Sequence, residues 1–232
     1  MTKGPVPTSS NVLVEFDPAS QWYNASLTIA VGWVRSGGVS SYNVYDHPPE
    51  DVRLQLKRLG LDVEALETEE KLRIIDHYTP QLGQKSQEKY AIPSLKVADL
   101  SLGYSRPTIP ATGSLPPKPW TGPDVLRIAD DESVILRFND EKSFVDLWRT
   151  RMIPSARSRR STAISAAVKG VYSEYVYRSM EASVDGIIDF KLEEDGKTTR
   201  DLMRIRSMRN VHFDREWHNL KIGENFEVTL GE

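Results

Sequence analysis

The stretch that decides the fold runs from Asn11 to Tyr45, NVLVEFDPASQWYNASLTIAVGWVRSGGVSSYNVY. Asn11 to Phe16 is a short apolar run with β-branched residues, and the turn-prone Asp17, Pro18 and Ser20 follow at once, so a strand runs into a turn. From about Asn24 to Arg35 the apolar Leu27, Ala30, Val31 and Val34 recur at helical spacing. Gly37-Gly38 then supplies a residue able to take positive φ and stop the helix. Val39 to Tyr45 reads as a second strand. Strand, helix and strand in this order are the unit of a parallel sheet with crossover helices, and the expected class is α/β.

Working outward, Pro48-Pro49 opens a helix on which Val52, Leu56 and Leu59 share a face before Gly60, and Lys71 to Tyr78 reads as a third strand. The chain changes character at about 83–124, where Pro93, Pro107, Pro110, Pro116, Pro117, Pro119 and Pro123 mix with serines and glycines. This is expected to be a surface insertion lying on the domain, with Leu95 to Leu102 (LKVADLSL) alternating enough to pair as a strand. Val125 to Phe138 resumes the core pattern, and Phe144 to Trp148 begins a helix that runs into the basic segment Arg149 to Arg160. Ser161 to Gly170 fits strand or helix. Past Ser173 a helix leads to Val184 to Leu192, a turn at Glu193 to Lys197, and an antiparallel neighbour at Leu202 to Ile205. A last hairpin pairs Leu220 to Ile222 with Phe226 to Leu230 around Gly223 to Asn225. No internal repeat is visible, so one domain over 1–232 is expected.

The 232 residues, 39% hydrophobic and 27% charged, have a soluble globular profile, and a formal charge of -3 gives no global pull towards nucleic acid or anionic membrane. No apolar run is long enough to cross a bilayer, and the start MTKGPVPTSS lacks the regions of a signal peptide, so a cytoplasmic protein with no membrane partner is expected. Without cysteine there are no disulfides or thiolate ligands, and the four scattered histidines have no metal-ligand spacing.

Two long segments carry a family resemblance. VDGIIDFKLEEDG (Val184 to Gly196), followed by MRIRSMRNVHFDREWHNLKI (Met203 to Ile222), resembles the closing strands and the DGVI and KMRG signature of the archaeal and bacterial KaiC-like branch of the RecA superfamily. EDVRLQLKRLGLDVEALETEEKLRIIDHYT (Glu50 to Thr79) resembles the second helix and third strand of the same proteins. The resemblance extends over nearly the full chain. It implies a RecA-like three-layer fold, with a mainly parallel sheet and antiparallel C-terminal strands.

Working members of that family need G-x-x-x-x-G-K-[ST] directly after strand one, because the glycines let backbone N–H groups wrap the phosphates, the lysine neutralises them and the hydroxyl holds magnesium. Here Phe16-Asp17-Pro18-Ala19-Ser20-Gln21-Trp22-Tyr23 falls in that place without a gap. Phe16 and Gln21 stand at the glycines, Trp22 at the lysine and Tyr23 at the Ser/Thr. The resemblance also implies a carboxylate pair after strand two, here Asp46-His47, and an acid ending strand four, here Asp130, with Asp131 and Glu132 leaving the register open. A lysine and an arginine that reach a neighbouring subunit's γ-phosphate fall at Ser207 and Arg209. Loss of both lysines and the metal hydroxyl removes most of what phosphoryl transfer uses, since that chemistry is positioning and electrostatics.

The expectation is therefore a degenerate nucleotide loop, standard Mg·ATP binding lost or altered, no cofactor and no metal. Trp22 and Tyr23 are expected to plug or pack the old cleft, the alternative being a stacking platform for a ligand. Asp46, Asp130 and Arg209 are either vestigial or ordinary solvated pairs. The run Arg149, Arg151, Arg157, Arg159 and Arg160 is either a solvated or acid-paired face, or a track for a phosphate backbone. Three functions fit: a pseudo-ATPase that regulates or scaffolds a protein partner (an active relative or itself), a nucleic-acid-binding accessory factor resembling recombinase paralogues, or an ATPase with altered nucleotide binding.

Overall fold

The computed structural model describes residues 7–105 and 120–231. Among the described residues nine strands form the sheet, in the order β3-β2-β4-β5-β1-β6-β7-β8-β9. They are β1 (Asn11–Phe16), β2 (Val39–Val44), β3 (Leu72–Asp76), β4 (Val125–Ala129), β5 (Thr162–Val168), β6 (Gly186–Asp195), β7 (Thr198–Met208), β8 (His218–Ile222) and β9 (Val228–Leu230). The first six are mutually parallel, and β7, β8 and β9 continue the sheet antiparallel.

Connections that step towards β3 and those that step towards β6 must lie on opposite faces if every crossover is right-handed. Accordingly α1 (Trp22–Arg35), α2 (Pro49–Arg58) and α3 (Val63–Thr68) cover one face. The helices α4 (Val97–Ser105), α5 (Glu141–Leu147), α6 (Ile153–Ser158) and α7 (Glu174–Glu181) cover the other. Alternation along each strand divides the core between the two faces: Val12 and Val14 of β1 pack under α1, while Leu13 between them packs under the second layer. Gly37 (φ 93°) and Gly60 (φ 84°) take the left-handed conformation just past α1 and α2, as the two expected helix stops require. Among the described residues no helix is long and apolar enough to cross a membrane.

The expected strand over Leu95 to Leu102 is instead mostly helix, since α4 begins at Val97. Pairing with β3 stops early: Ile92 donates to the Asp76 carbonyl, and Pro93 has no N–H with which to extend the ladder. The chain then turns, and Asn139 Oδ1 accepts the Val97 N–H at 2.7 Å, capping the new helix from far along the sequence. Residues 106–119, with five of the seven prolines noted above, lie outside the described residues. Ser161 to Gly170, open between helix and strand, supplies β5, and β6 runs on to Asp195 so that the turn closes at Gly196 rather than from Glu193. The helix into the basic segment forms, interrupted by one wide π turn at Trp148–Met152 just before Pro154, which has no N–H for the preceding turn.

Candidate functional site

At the C-terminal edge of the parallel strands, connections from β1 and β2 leave towards one face and those from β4 and β5 towards the other. Crevices of this kind are where open α/β sheets bind ligands. β1 ends at Phe16, the Asp17 N–H bonds the Phe190 carbonyl at 3.1 Å, and the Ser20 N–H closes a turn on the Asp17 carbonyl at 2.9 Å. Gln21 then stands at the N-cap of α1, its Oε1 accepting from Asn24 Nδ2 at 2.8 Å, and Trp22 opens the helix. Phe16 to Tyr23 thus form the strand-to-helix turn in which the sequence set them, with Pro18 and Ala19 at its tip.

Trp22 is 2% exposed. Its Nε1 donates to the Asp130 carbonyl at 2.7 Å, tying the start of α1 to the end of β4. The ring meets Phe190 edge-on at 5.4 Å and lies 6.3 Å from Phe16. An indole buried with its donor satisfied stabilises the fold through both area and hydrogen bond. Tyr23 stacks on His47, with centroids 4.2 Å apart and planes at 19°. Burial first, then the charges of Asp130 and Asp51, push its phenol well above the usual range, so it stays neutral.

Asp130 follows β4 directly and is buried, its Oδ1 accepting from the backbone N–H groups of Tyr45 and Asp131, each at 2.9 Å. Oδ2 lies 3.7 Å from His47 Nδ1. Asp130 raises the His47 pKa, chiefly through this side-chain interaction and against the desolvation of the ring, while burial raises Asp130 itself. The arrangement is an imidazole–carboxylate pair beneath the Tyr23 ring. Asp46 is exposed and faces Arg137 at 3.6 Å. Asp131 caps the 3-10 turn Glu132–Phe138 by accepting the Ser133 N–H at 2.8 Å.

Arg209 lies elsewhere. β7 runs antiparallel, so Met208 pairs with Gly186 at the start of β6, and Arg209 meets Asp185 at 3.4 Å on the opposite edge of the sheet. Asp46 and Asp130 therefore gather near the loop, and Arg209 of the same chain does not. The arginine run is divided as well. Arg149 and Arg151 are exposed on the π turn, whereas Arg157 meets Asp185 at 3.5 Å and donates to the Ser183 carbonyl at 3.0 Å. The Arg160 carbonyl accepts from the Ser9 hydroxyl at 2.7 Å, and half-buried Arg159 accepts the Gly122 N–H.

Sequence reasoning missed two contacts. His47 stands in the sequence only beside Asp46, with nothing to pair it with Asp130 or Tyr23, and Lys169, just after β5, brings a cation to the loop: its Nζ is 3.5 Å from Asp17 Oδ1 and 3.2 Å from the Phe190 carbonyl. Both meet the loop only through space, so no local spacing announces them.

No family model matches the chain, and no curated protein matches it. Among solved structures, a KaiC-like protein of the hyperthermophilic archaeon Pyrococcus horikoshii is similar, with a TM-score of 0.68 over 100% of this chain and 93% of that one at 16% sequence identity. At that identity the likeness establishes the fold, which is RecA-like.

Proposed function

We propose that on this RecA-like frame the chain acts without catalysis, as a pseudo-ATPase that regulates or scaffolds a protein partner. The observation that carries the reading is Trp22, sealed between Phe16, Phe190 and the Asp130 carbonyl at the helix start where a phosphate loop would place its lysine. A helix N-terminus binds phosphate when its N–H groups are free and a cation stands by. Here the Ser20 N–H is used inside the turn, Asp17 adds a negative charge to the loop, and Lys169 is engaged by Asp17 and the Phe190 carbonyl. Tyr23 brings a ring stacked on His47 to the position that would hold magnesium. A protein partner is supported by the end of the sheet, where β9 is the last strand and Ile222, Phe226 and Leu230 are exposed beside it. Strand edges with apolar side chains are surfaces on which another chain pairs.

Calorimetry with ATP and magnesium tests the proposal. No binding isotherm is expected at millimolar nucleotide. A saturable isotherm, or ATP turnover that disappears in Asp130→Asn or Asp46→Asn, would sink it.

A further inference from the structure

The sheet face beneath α4 to α7 is unusually polar for parallel strands, which are normally apolar on both sides. On the α1 face, β2, β3 and β4 present Tyr42, Val44, Leu72, Ile74, Leu126 and Ile128. On the other they present Ser41, Asn43, Arg73 and Arg127, and β5 adds Ser165. Strand register arranges these in rows. Arg73, Ser41, Arg127 and Ala163 are successive neighbours across β3, β2, β4 and β5, and Ile75, Asn43, Ala129 and Ser165 form the next row.

Small side chains in these rows leave a cavity of about 180 Å³, roofed by Leu100, Trp148, Met152 and Ile153. That is room for several waters or one ring, since an apolar cavity of about 150 Å³ accepts benzene. Polar atoms around it are left over. Ser41 Oγ, His77 Nδ1, Glu132 Oε2 and Trp148 Nε1 are each buried with no hydrogen-bond partner among the described residues, and each residue is at most 5% exposed. Unpaired buried polar groups are costly, and four of them around one cavity mark a place built to be filled.

The charges favour an anion. Arg73 and Arg127 flank the unpartnered Ser41 hydroxyl on adjacent strands. Arg73 pairs with Glu70 at 2.6 Å and lies over the Trp120 ring at 3.8 Å, while Arg127 donates to Ser161 Oγ at 3.1 Å and to the Trp120 carbonyl at 2.6 Å. Glu132 accepts from the Ser165 hydroxyl at 3.2 Å, and burial raises it to about 8, so at neutral pH it is mainly a hydroxyl donor and not a second negative charge. Burial likewise keeps His77 neutral. Arg159 and Asp99 also reach the cavity, half-buried and opposite in charge.

We propose that this cavity binds a small organic oxyanion, a carboxylate or phosphate carried on a body of about one ring, with the anionic head at the Arg73, Ser41 and Arg127 row and the body beneath Trp148 and Leu100. Guanidinium forks match the planar or tetrahedral head, and Ile75 and Ile92 line the apolar part.

The probes are benzoate, phenyl phosphate and neutral benzyl alcohol, titrated calorimetrically into the full chain, with thermal denaturation in parallel. At least one anion is expected to bind saturably, and the preference between the two distinguishes carboxylate from phosphate. Benzyl alcohol is expected to bind about tenfold more weakly or worse, because it forgoes the charge-assisted bonds. Arg127→Gln should weaken the anion by about tenfold or more. Ala163→Leu, which fills the cavity and keeps every charge, should abolish binding. Melting curves confirm that both variants are folded; if either is not, Ser41→Ala replaces it and should weaken binding several-fold. Absence of binding by both anions, equal binding of charged and neutral probes, or unchanged affinity in the folded variants would overturn the proposal and leave the cavity to water.

Discussion

Replacing Trp22 by Ala tests whether the ring is structural. The side chain is 2% exposed, and its ring contacts Phe16 at the end of β1 and Phe190 in the middle of β6. Truncating a fully buried Trp costs roughly 3 to 5 kcal/mol, the spread reflecting how far the site can collapse. Collapse is limited here, because the neighbours belong to strands fixed by the sheet. Trp22→Phe separates the contributions: it keeps much of the ring contact and removes the Nε1 donor, leaving the buried Asp130 carbonyl without that bond, for about 1 to 3 kcal/mol. For a chain of this size each kcal/mol moves the melting temperature by about 2 to 4 °C, so Trp22→Ala should lower it by roughly 10 °C and Trp22→Phe by about half of that. Thermal denaturation by circular dichroism measures both. An unchanged melting point in Trp22→Ala would refute the wedge, and if partner binding were lost at the same time the ring would belong to a recognition surface instead.

The exposed part of the arginine run is expected to be a solvated and acid-paired face: the wild type should not bind single-stranded DNA at moderate salt, and Arg149, Arg151 and Arg157 changed together to Ala should alter stability only slightly, with exposed pairs contributing about 0 to 1 kcal/mol each. Tight binding in an anisotropy titration, weakening with a log–log salt slope of about -0.7 per phosphate contact, would move the nucleic-acid reading ahead. Stability should also fall as pH rises from about 5 to 8, since burial raises Asp131 to about 6, Glu15 to about 7 and Glu132 to about 8, so that the folded state holds protons the unfolded chain has released. His77, lowered to about 3 from 6.5, acts in the opposite sense only below its unfolded value. Glu132→Gln should flatten the decline between pH 7 and 8 in urea titrations, and an unchanged slope there would contradict this origin.

What was legible in the sequence is what local pattern determines. The β1-α1-β2 unit follows from alternation, helical spacing and Gly37, and the turn from Phe16 to Tyr23 could be placed because it is contiguous. The misread segment at Leu95 to Leu102 had only a short alternation, while its fate was set by Pro93 ending the pairing and by Asn139 capping α4 from a distant turn. His47 and Lys169 join the loop by strand order, which spacing along the chain does not encode. The polar cavity did leave a local signal. VSSYNV and VLRIA place Ser41, Asn43 and Arg127 on alternate positions of strands that the fold buries on both faces, and polar residues at period two in a central parallel strand point to an interior site.

The run Asp130-Asp131-Glu132 shows why counting acids misjudges such an edge. In sequence any of the three could be the acid that ends strand four. In the fold each side chain enters a different environment: Asp130 takes two backbone N–H groups and faces His47, Asp131 caps the turn, and Glu132 turns into the cavity beside Ser165. An acid that serves chemistry at an open strand end must be ionised and reachable. Asp130 is buried beneath the Tyr23–His47 stack, Asp131 is engaged at its cap, and Glu132 is buried with its pKa raised to about 8. The Asp130 carbonyl, meanwhile, anchors Trp22. At this strand end the acids support a closed edge through their backbone and caps, and the one acid directed at open space faces the interior cavity rather than the crevice.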